Sequence, residues 1–228
     1  MKPKQLKIPF SWKERRPFLS DRVFYVPNYY DRHEEYQFPS WSSSAVFGRT
    51  APIEVEYCAG NGEWIVAKAL AHPERDWVAV EIQFERARKI WSKIHNFHLS
   101  NLLVVCGEAL TFTKHYVQAG TFSASYVNFP DPWPKPKHEK KRLLQEPFLL
   151  ELARVAQEGS IVTLVTDHAG YVAQIVETLE KLPFWLSCHP SPHYITDYPG
   201  YGTSYFDSLW REQGLNVHYI QYKKGGER

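Results

Sequence analysis

Four acidic residues stand at intervals along the middle of the chain, each at or near the end of a short apolar run: Glu56, Glu81, Glu108 and Asp131. After the first comes Cys58-Ala59-Gly60-Asn61-Gly62, a turn in which Gly60 and Gly62 allow left-handed backbone angles and close approach to a ligand. Glu81 follows Gly62 by 19 residues, close to the spacing of about 20 for an acid that accepts hydrogen bonds from a ribose diol. A dinucleotide-binding turn would carry a third glycine where Ile65 stands, and Glu63 would face any pyrophosphate at the helix start. Phosphate is therefore disfavoured, and with it a nicotinamide-dependent oxidoreductase.

A row of acids beside a glycine turn suits a ligand with a cationic group, a ribose diol and an adenine amino group. S-adenosylmethionine has all three. In that reading Glu56 lies under the glycine turn, Glu81 accepts from the ribose hydroxyls and Glu108 receives the adenine amino group. Any one of these acids could equally be a solvated helix-start residue; the succession points to a site.

The most specific stretch runs from Asn128 through Phe129-Pro130-Asp131-Pro132-Trp133-Pro134-Lys135-Pro136-Lys137-His138 to Glu139-Lys140-Lys141-Arg142. Closely spaced prolines restrict φ, so Asp131 and Trp133 are positioned before a substrate arrives. The lysines and Arg142 beyond them can face nucleic-acid phosphates, and Trp133 offers a stacking face. A second basic cluster opens the chain, with Lys2, Lys4, Lys7, Lys13, Arg15 and Arg16 against Glu14 alone. The formal net charge of +2 is thus a sum of opposed local concentrations.

The elements that must position these residues follow from apolar patterning. Short apolar runs at 53–58, 77–82, 102–106, 122–128 and 161–166 read as strands, alternating with amphipathic helices at 63–71, 84–97, 110–117, 141–156 and 171–182. That alternation predicts an α/β fold with a mostly parallel sheet and helices on both faces. Strands at 184–188 and 217–222 complete seven and predict a C-terminal antiparallel hairpin. Ligands bind beyond the carboxyl ends of such strands, where the acids stand.

With 228 residues and 43% hydrophobic content the chain can form one substantial domain, expected over 46–228, with an extension over 1–45. Aromatic residues reach 15%, and many of those in 10–47 follow neither helical nor strand period, which reads as an arm or lid outside the core. Three cysteines without a CxxC pair argue against disulfides and structural zinc and fit a reducing cytoplasm. No apolar run reaches the roughly 18 residues of a membrane span. His95 and His98 on one helix, and His189 and His193 about a turn, lack a third ligand, so no metal is expected.

The stretch Pro130 to Arg142 resembles the signature of the bacterial tRNA (guanine-N7)-methyltransferases, which have the Rossmann-like class I S-adenosylmethionine-dependent fold. The resemblance runs from about Ile53 to the C-terminus. It implies methylation of N7 of the variable-loop guanine at tRNA position 46, with Glu56, Gly60, Gly62, Glu81, Glu108 and Asp131 about the cofactor and Asp131 as the catalytic residue. It implies substrate-binding roles for Lys135, Asp167, Thr203 and Tyr205. Two departures stand out: Cys58 occupies a position where the family usually has glycine, and Phe206 replaces a late glutamate, with Asp207 one residue on.

Guanine N7 presents a lone pair, so its methylation needs no proton removal, and positioning governs the rate. Two other readings remain from the residues. An exocyclic-amine methyltransferase would want two adjacent prolines after its Asn or Asp, and Phe129 interrupts the resemblance. A non-catalytic RNA-binding module would account for Cys58 and Phe206. The sequence leaves open whether the protein is a monomer or a homodimer.

Overall fold

The computed structural model describes residues 1–202 and 204–225. Its chain forms two compact units, Met1–Val117 and Gln118–Arg228.

The first unit is built on strands β1 (Phe18–Ser20), β2 (Val23–Tyr25), β3 (Ile53–Tyr57), β4 (Asp76–Glu81) and β5 (Leu102–Cys106), in the order β1-β2-β5-β4-β3. β3, β4 and β5 run parallel, with Val55 opposite Val78 and Val78 opposite Leu103. Parallel neighbours need crossovers, and helices α1 (Glu63–Ala71) and α2 (Phe84–Asn96) provide them; α3 (Ala109–Tyr116) follows β5. All of β4 is buried, as its apolar run requires of a strand covered on both sides. α2 buries Ala87, Ile90, Trp91 and Ile94 at helical spacing.

β1 and β2 precede the seven expected strands, all of which are present. They correct the reading of residues 10–47 as an arm outside the core. β2 pairs in parallel with β5, Val23 opposite Val104, and Phe24 is fully buried. The Phe24 ring lies 4.7 Å from Phe38 and 5.0 Å from Tyr116, and Phe38 lies 4.8 Å from Trp41. The segment lacks a period because its rings come from two three-residue strands and the turns around them.

The second unit contains β6 (Phe122–Asn128), α4 (Glu146–Val155), β7 (Ala156–Thr166), α5 (Ala169–Glu180), β8 (Trp185–Ser187), α6 (Tyr205–Glu212) and β9 (His218–Lys224). β6 and β7 are parallel, β9 lies antiparallel between β7 and β8, and the pair β8–β9 is the expected C-terminal hairpin. The helix expected over 141–156 begins only at Glu146. Pro147 has no N–H to donate to the preceding turn, so it is tolerated in a first turn and would break a helix arriving from 141. A 3-10 helix, Pro136–Lys141, precedes that span and meets it only at Lys141. His98 also departs from expectation: it lies beyond the end of α2, at φ +55°.

Candidate active site

In the first unit the site begins where β3 turns into α1. Cys58, Gly60 and Gly62 all have positive φ, at 61°, 56° and 78°. Gly62 has a further constraint, since a Cβ there would come within 2.7 Å of Ile90 Cγ1. The turn is tied to the end of β4: Gly60 N–H donates to Glu81 Oε2 at 2.9 Å, and Gln83 N–H donates to Glu81 Oε1 at 2.8 Å. From α2, Lys89 Nζ donates to Asn61 Oδ1 at 3.0 Å and Lys93 Nζ to the Asn61 carbonyl at 2.8 Å.

Glu81 is buried, and that burial raises its pKa against the opposing pull of the backbone N–H donors and Arg86. Burial also pushes the Cys58 thiol up, reinforced by the negative fields of Glu81, Glu56 and Glu108 and opposed by Arg86. Three of the four expected acids therefore act on one point, the first residue of the glycine turn. Cys106, at the end of β5, is pushed up to about 12 by burial and by Glu81. Glu56 is buried within β3. Glu108 is the N-cap of α3, accepting from Leu110 N–H at 2.9 Å and Thr111 N–H at 2.6 Å. The Thr111 hydroxyl also donates to Glu108 Oε2 at 2.6 Å; with about four lone-pair positions on a carboxylate, Glu81 and Glu108 still keep some acceptor capacity. The acids and the positive-φ turn thus fit an adenosyl ligand with a cationic sulfonium.

In the second unit the Pro-rich stretch leaves the end of β6. Asp131 is exposed, and its Oδ1 accepts from Trp133 N–H at 3.0 Å, closing a tight turn over Pro132. Phe129 and Trp133, on either side, have φ +49° and +40°, conformations that L side chains adopt at a cost of about 1–3 kcal/mol each. Surrounding contacts must hold such a loop. Asn128 is buried and its Oδ1 accepts from the Tyr201 hydroxyl at 2.6 Å. Arg142 donates from Nε to the Pro132 carbonyl at 2.7 Å and from Nη1 to Gln174 Oε1 at 2.7 Å, and it sits 5.1 Å over the Tyr171 ring. Lys141 Nζ lies 4.8 Å over Trp133.

Arg142 corrects one expectation. Only 6% exposed, it donates into the loop and does not stand as a free surface cation. Lys135, Lys137, Lys140 and Lys141 remain exposed. Asp167 follows β7 and is half-buried, and Tyr205 opens α6 at 56% exposure. Thr203 lies outside the described residues. The Phe206 ring lies 6.3 Å from Phe129 and 5.4 Å from Tyr205, so Tyr205 is joined through Phe206 to the loop that carries Asp131. Among the described residues no cluster of three or more His, Cys, Asp or Glu could hold a metal ion.

A family model described as "Putative methyltransferase" matches residues 50–218. A protein of Chlamydia trachomatis named tRNA (guanine-N(7)-)-methyltransferase is 45% identical over 225 residues, covering 98% of each chain. Another of the same name, from Rubrobacter xylanophilus, is 31% identical over 82% of each chain. The chain belongs to the tRNA (guanine-N7)-methyltransferase family. Solved structures share the class I methyltransferase fold at low identity. A 16S rRNA methyltransferase matches with TM-score 0.60 at 14% identity, covering 84% of this chain and 96% of its own. An S-adenosylmethionine-dependent O-methyltransferase of Thermotoga maritima matches with TM-score 0.51 at 15% identity, covering 78% and 61%.

Within this methyltransferase the two departures have structural correlates. Cys58 adopts the left-handed conformation that makes glycine the usual occupant of such a turn. Asp207 is buried, accepting from Arg211 Nε at 3.1 Å and from the Tyr219 hydroxyl at 3.2 Å, so its carboxylate is engaged by α6 and β9. Tyr201 and the clamp role of Arg142 escaped sequence reasoning. Tyr201 carries no motif signal, and the charge of Arg142 gave no hint of its burial.

Proposed function

We propose that this methyltransferase transfers the methyl group of S-adenosylmethionine to N7 of a guanine in the variable loop of tRNA, and that it does so in the cytoplasm. The observation that carries this reading is the 45% identity, over 98% of both chains, with a protein named for that reaction. In it the first unit holds the cofactor: Gly60 and Gly62 give it room, Glu81 and Glu108 accept from its ribose and adenine, and Glu56 offsets positive charge near the turn. When bound, S-adenosylmethionine supplies an electrophilic methyl group on a sulfonium.

The chain's own work is then orientation. Guanine N7 carries a lone pair, so no residue needs to remove a proton before transfer. Asp131 accepts from the N–H donors of the guanine and stabilises the positive charge that grows on the purine. Its loop is ordered in advance by Arg142, so substrate binding need not supply that ordering, and near-attack geometry is where most of the rate is gained. Lys135, Asp167, Thr203 and Tyr205 contact the RNA or its target base. The exocyclic-amine and non-catalytic readings are not favoured by the family.

The test is incubation with labelled S-adenosylmethionine and unmodified tRNA transcripts, followed by nucleoside identification. 7-Methylguanosine is the expected product; methylated adenine or cytosine amines, or no product at all, would overturn the reading. Asp131→Ala should lose most transfer while largely retaining cofactor affinity, and near-normal turnover of that variant would remove Asp131 from the catalytic role.

A further inference from the structure

The N-terminal segment holds two large aromatic side chains in the open that no part of the core explains. Trp12 is 64% exposed and Tyr29 is 84% exposed, yet their rings lie 6.2 Å apart. They come from segments 17 positions apart, and one side chain ties these together. Arg15 donates from Nη1 to the Trp12 carbonyl at 2.9 Å and from Nη2 to the Tyr29 carbonyl at 2.9 Å, with its guanidinium 4.2 Å over the Trp12 ring. The rings are thus presented as a fixed pair. Each gains little from the fold where it stands, since an exposed ring has not removed its apolar area from water.

The surroundings select a partner. Lys13 and Arg16, both exposed, adjoin the pair in sequence. The same segment lines a cleft of about 390 Å³ between Pro9, Phe10, Glu14, Arg16 and Phe18, within the roughly 300–1,000 Å³ of small-ligand sites. The nearby acids are Glu14, whose Oε2 accepts from Ser11 Oγ at 2.8 Å, and Asp31. Aromatic faces with interleaved cations are what unpaired nucleotides need: bases stack on the rings while the phosphates meet the charges.

We propose that the Trp12–Tyr29 pair, held by Arg15 and flanked by Lys13 and Arg16, is a stacking platform for unpaired bases of the RNA substrate. The proposal rests on tRNA being that substrate. It adds a binding surface remote in sequence from the Asp131 loop and gives the N-terminal basic residues a defined task.

The experiment compares the wild type, Trp12→Ala/Tyr29→Ala and Trp12→Phe/Tyr29→Phe for equilibrium binding of a tRNA transcript, for methylation kinetics and for S-adenosylmethionine affinity. Loss of two stacking faces should weaken tRNA binding by about thirtyfold or more, with KM for tRNA changing more than kcat and cofactor affinity unmoved. The Phe variant should bind like the wild type. Ultraviolet crosslinking of the wild-type complex should yield adducts on peptides containing Trp12 or Tyr29. A double-alanine variant with wild-type tRNA affinity, or adducts confined to other peptides, overturns the platform. Absence of 7-methylguanosine from the wild-type reaction overturns the parent reading instead, and the binding and crosslinking results still decide the platform.

Discussion

The guanidinium of Arg142 donates to the carbonyl of Pro132 at 2.7 Å, so the loop that presents Asp131 is fastened by a residue ten positions downstream of its own turn. This relationship accounts for how Phe129 and Trp133 keep positive φ without glycine. It also predicts how Arg142 variants behave. Arg142→Lys keeps the charge and loses the planar fork that reaches Pro132 and Gln174 together. Turnover of tRNA should fall about tenfold or more through misplacement of the loop, while the slope of log affinity against log salt stays at the wild-type value. Lys140→Ala, by contrast, should lower that slope by about one phosphate's worth. Filter binding at several salt concentrations, beside single-turnover rates, checks both; a reduced slope for Arg142→Lys would return this residue to the RNA surface.

The glycine turn gives a second contrast. Gly62→Ala forces a Cβ to within 2.7 Å of the buried Ile90 side chain, at φ +78°. The expected cost is about 1–3 kcal/mol, from overpacking and backbone strain together. Cys58→Gly has the opposite sense, because glycine relieves a left-handed residue of about 1–2 kcal/mol and returns part of that through unfolded-chain entropy. Denaturant titration should show Gly62→Ala clearly destabilised and Cys58→Gly equal to the wild type or up to about 1 kcal/mol more stable. Cys58→Val, β-branched at the same φ, should be worse than either.

Much of this was legible in the sequence, for physical reasons that differ by region. From β3 to α5 the apolar runs alternate with amphipathic helices, and most of their apolar residues are buried, with Leu70, Ile82, Phe97, Leu150 and Ile161 the large exposed exceptions. Residues 10–47 gave no period because Phe24, Phe38 and Trp41 reach one aromatic cluster from separate short pieces. The positions of the acids were legible because strand ends are a topological location, readable from element boundaries alone. The functions of Arg142, Tyr201 and Asp207 were hidden because each depends on a partner distant in sequence or on burial, and side-chain type records neither.

In the proposed cofactor site, Glu81 is expected to make stability and cofactor binding depend on pH. Its raised pKa reflects burial, so the fold favours the protonated acid more than the unfolded chain does. That contribution to stability is complete below the unfolded carboxyl's value, about 4.3, and is lost as pH rises through the higher folded value. The stability gap between the wild type and Glu81→Gln should therefore move against the wild type as pH rises through that window. Cofactor affinity should run the other way, strengthening with pH as the carboxylate ionises. Denaturant titrations and calorimetry with S-adenosylmethionine across that range test both, and a wild-type affinity flat with pH would argue against an ionised Glu81 at the ribose.

Asp207 and Phe206 separate structure from recognition at the start of α6. Asp207→Ala removes the acceptor shared by Arg211 Nε and the Tyr219 hydroxyl and leaves a largely buried hydroxyl to repartner. A loss of about 1–3 kcal/mol in stability is expected, without a change in the salt dependence of tRNA binding. Phe206→Glu restores the residue usual in the family and removes the ring between Phe129 and Tyr205. If this enzyme has exchanged a polar RNA contact for an apolar brace on the Asp131 loop, the glutamate variant should melt earlier and turn over tRNA more slowly, and the loss should be partly recovered by Phe129→Gly, which tolerates φ +49° unaided. Thermal melts and initial rates of the two single variants and their combination form a double-mutant cycle. Strict additivity would mean that the Phe129–Phe206 contact does not couple α6 to the loop.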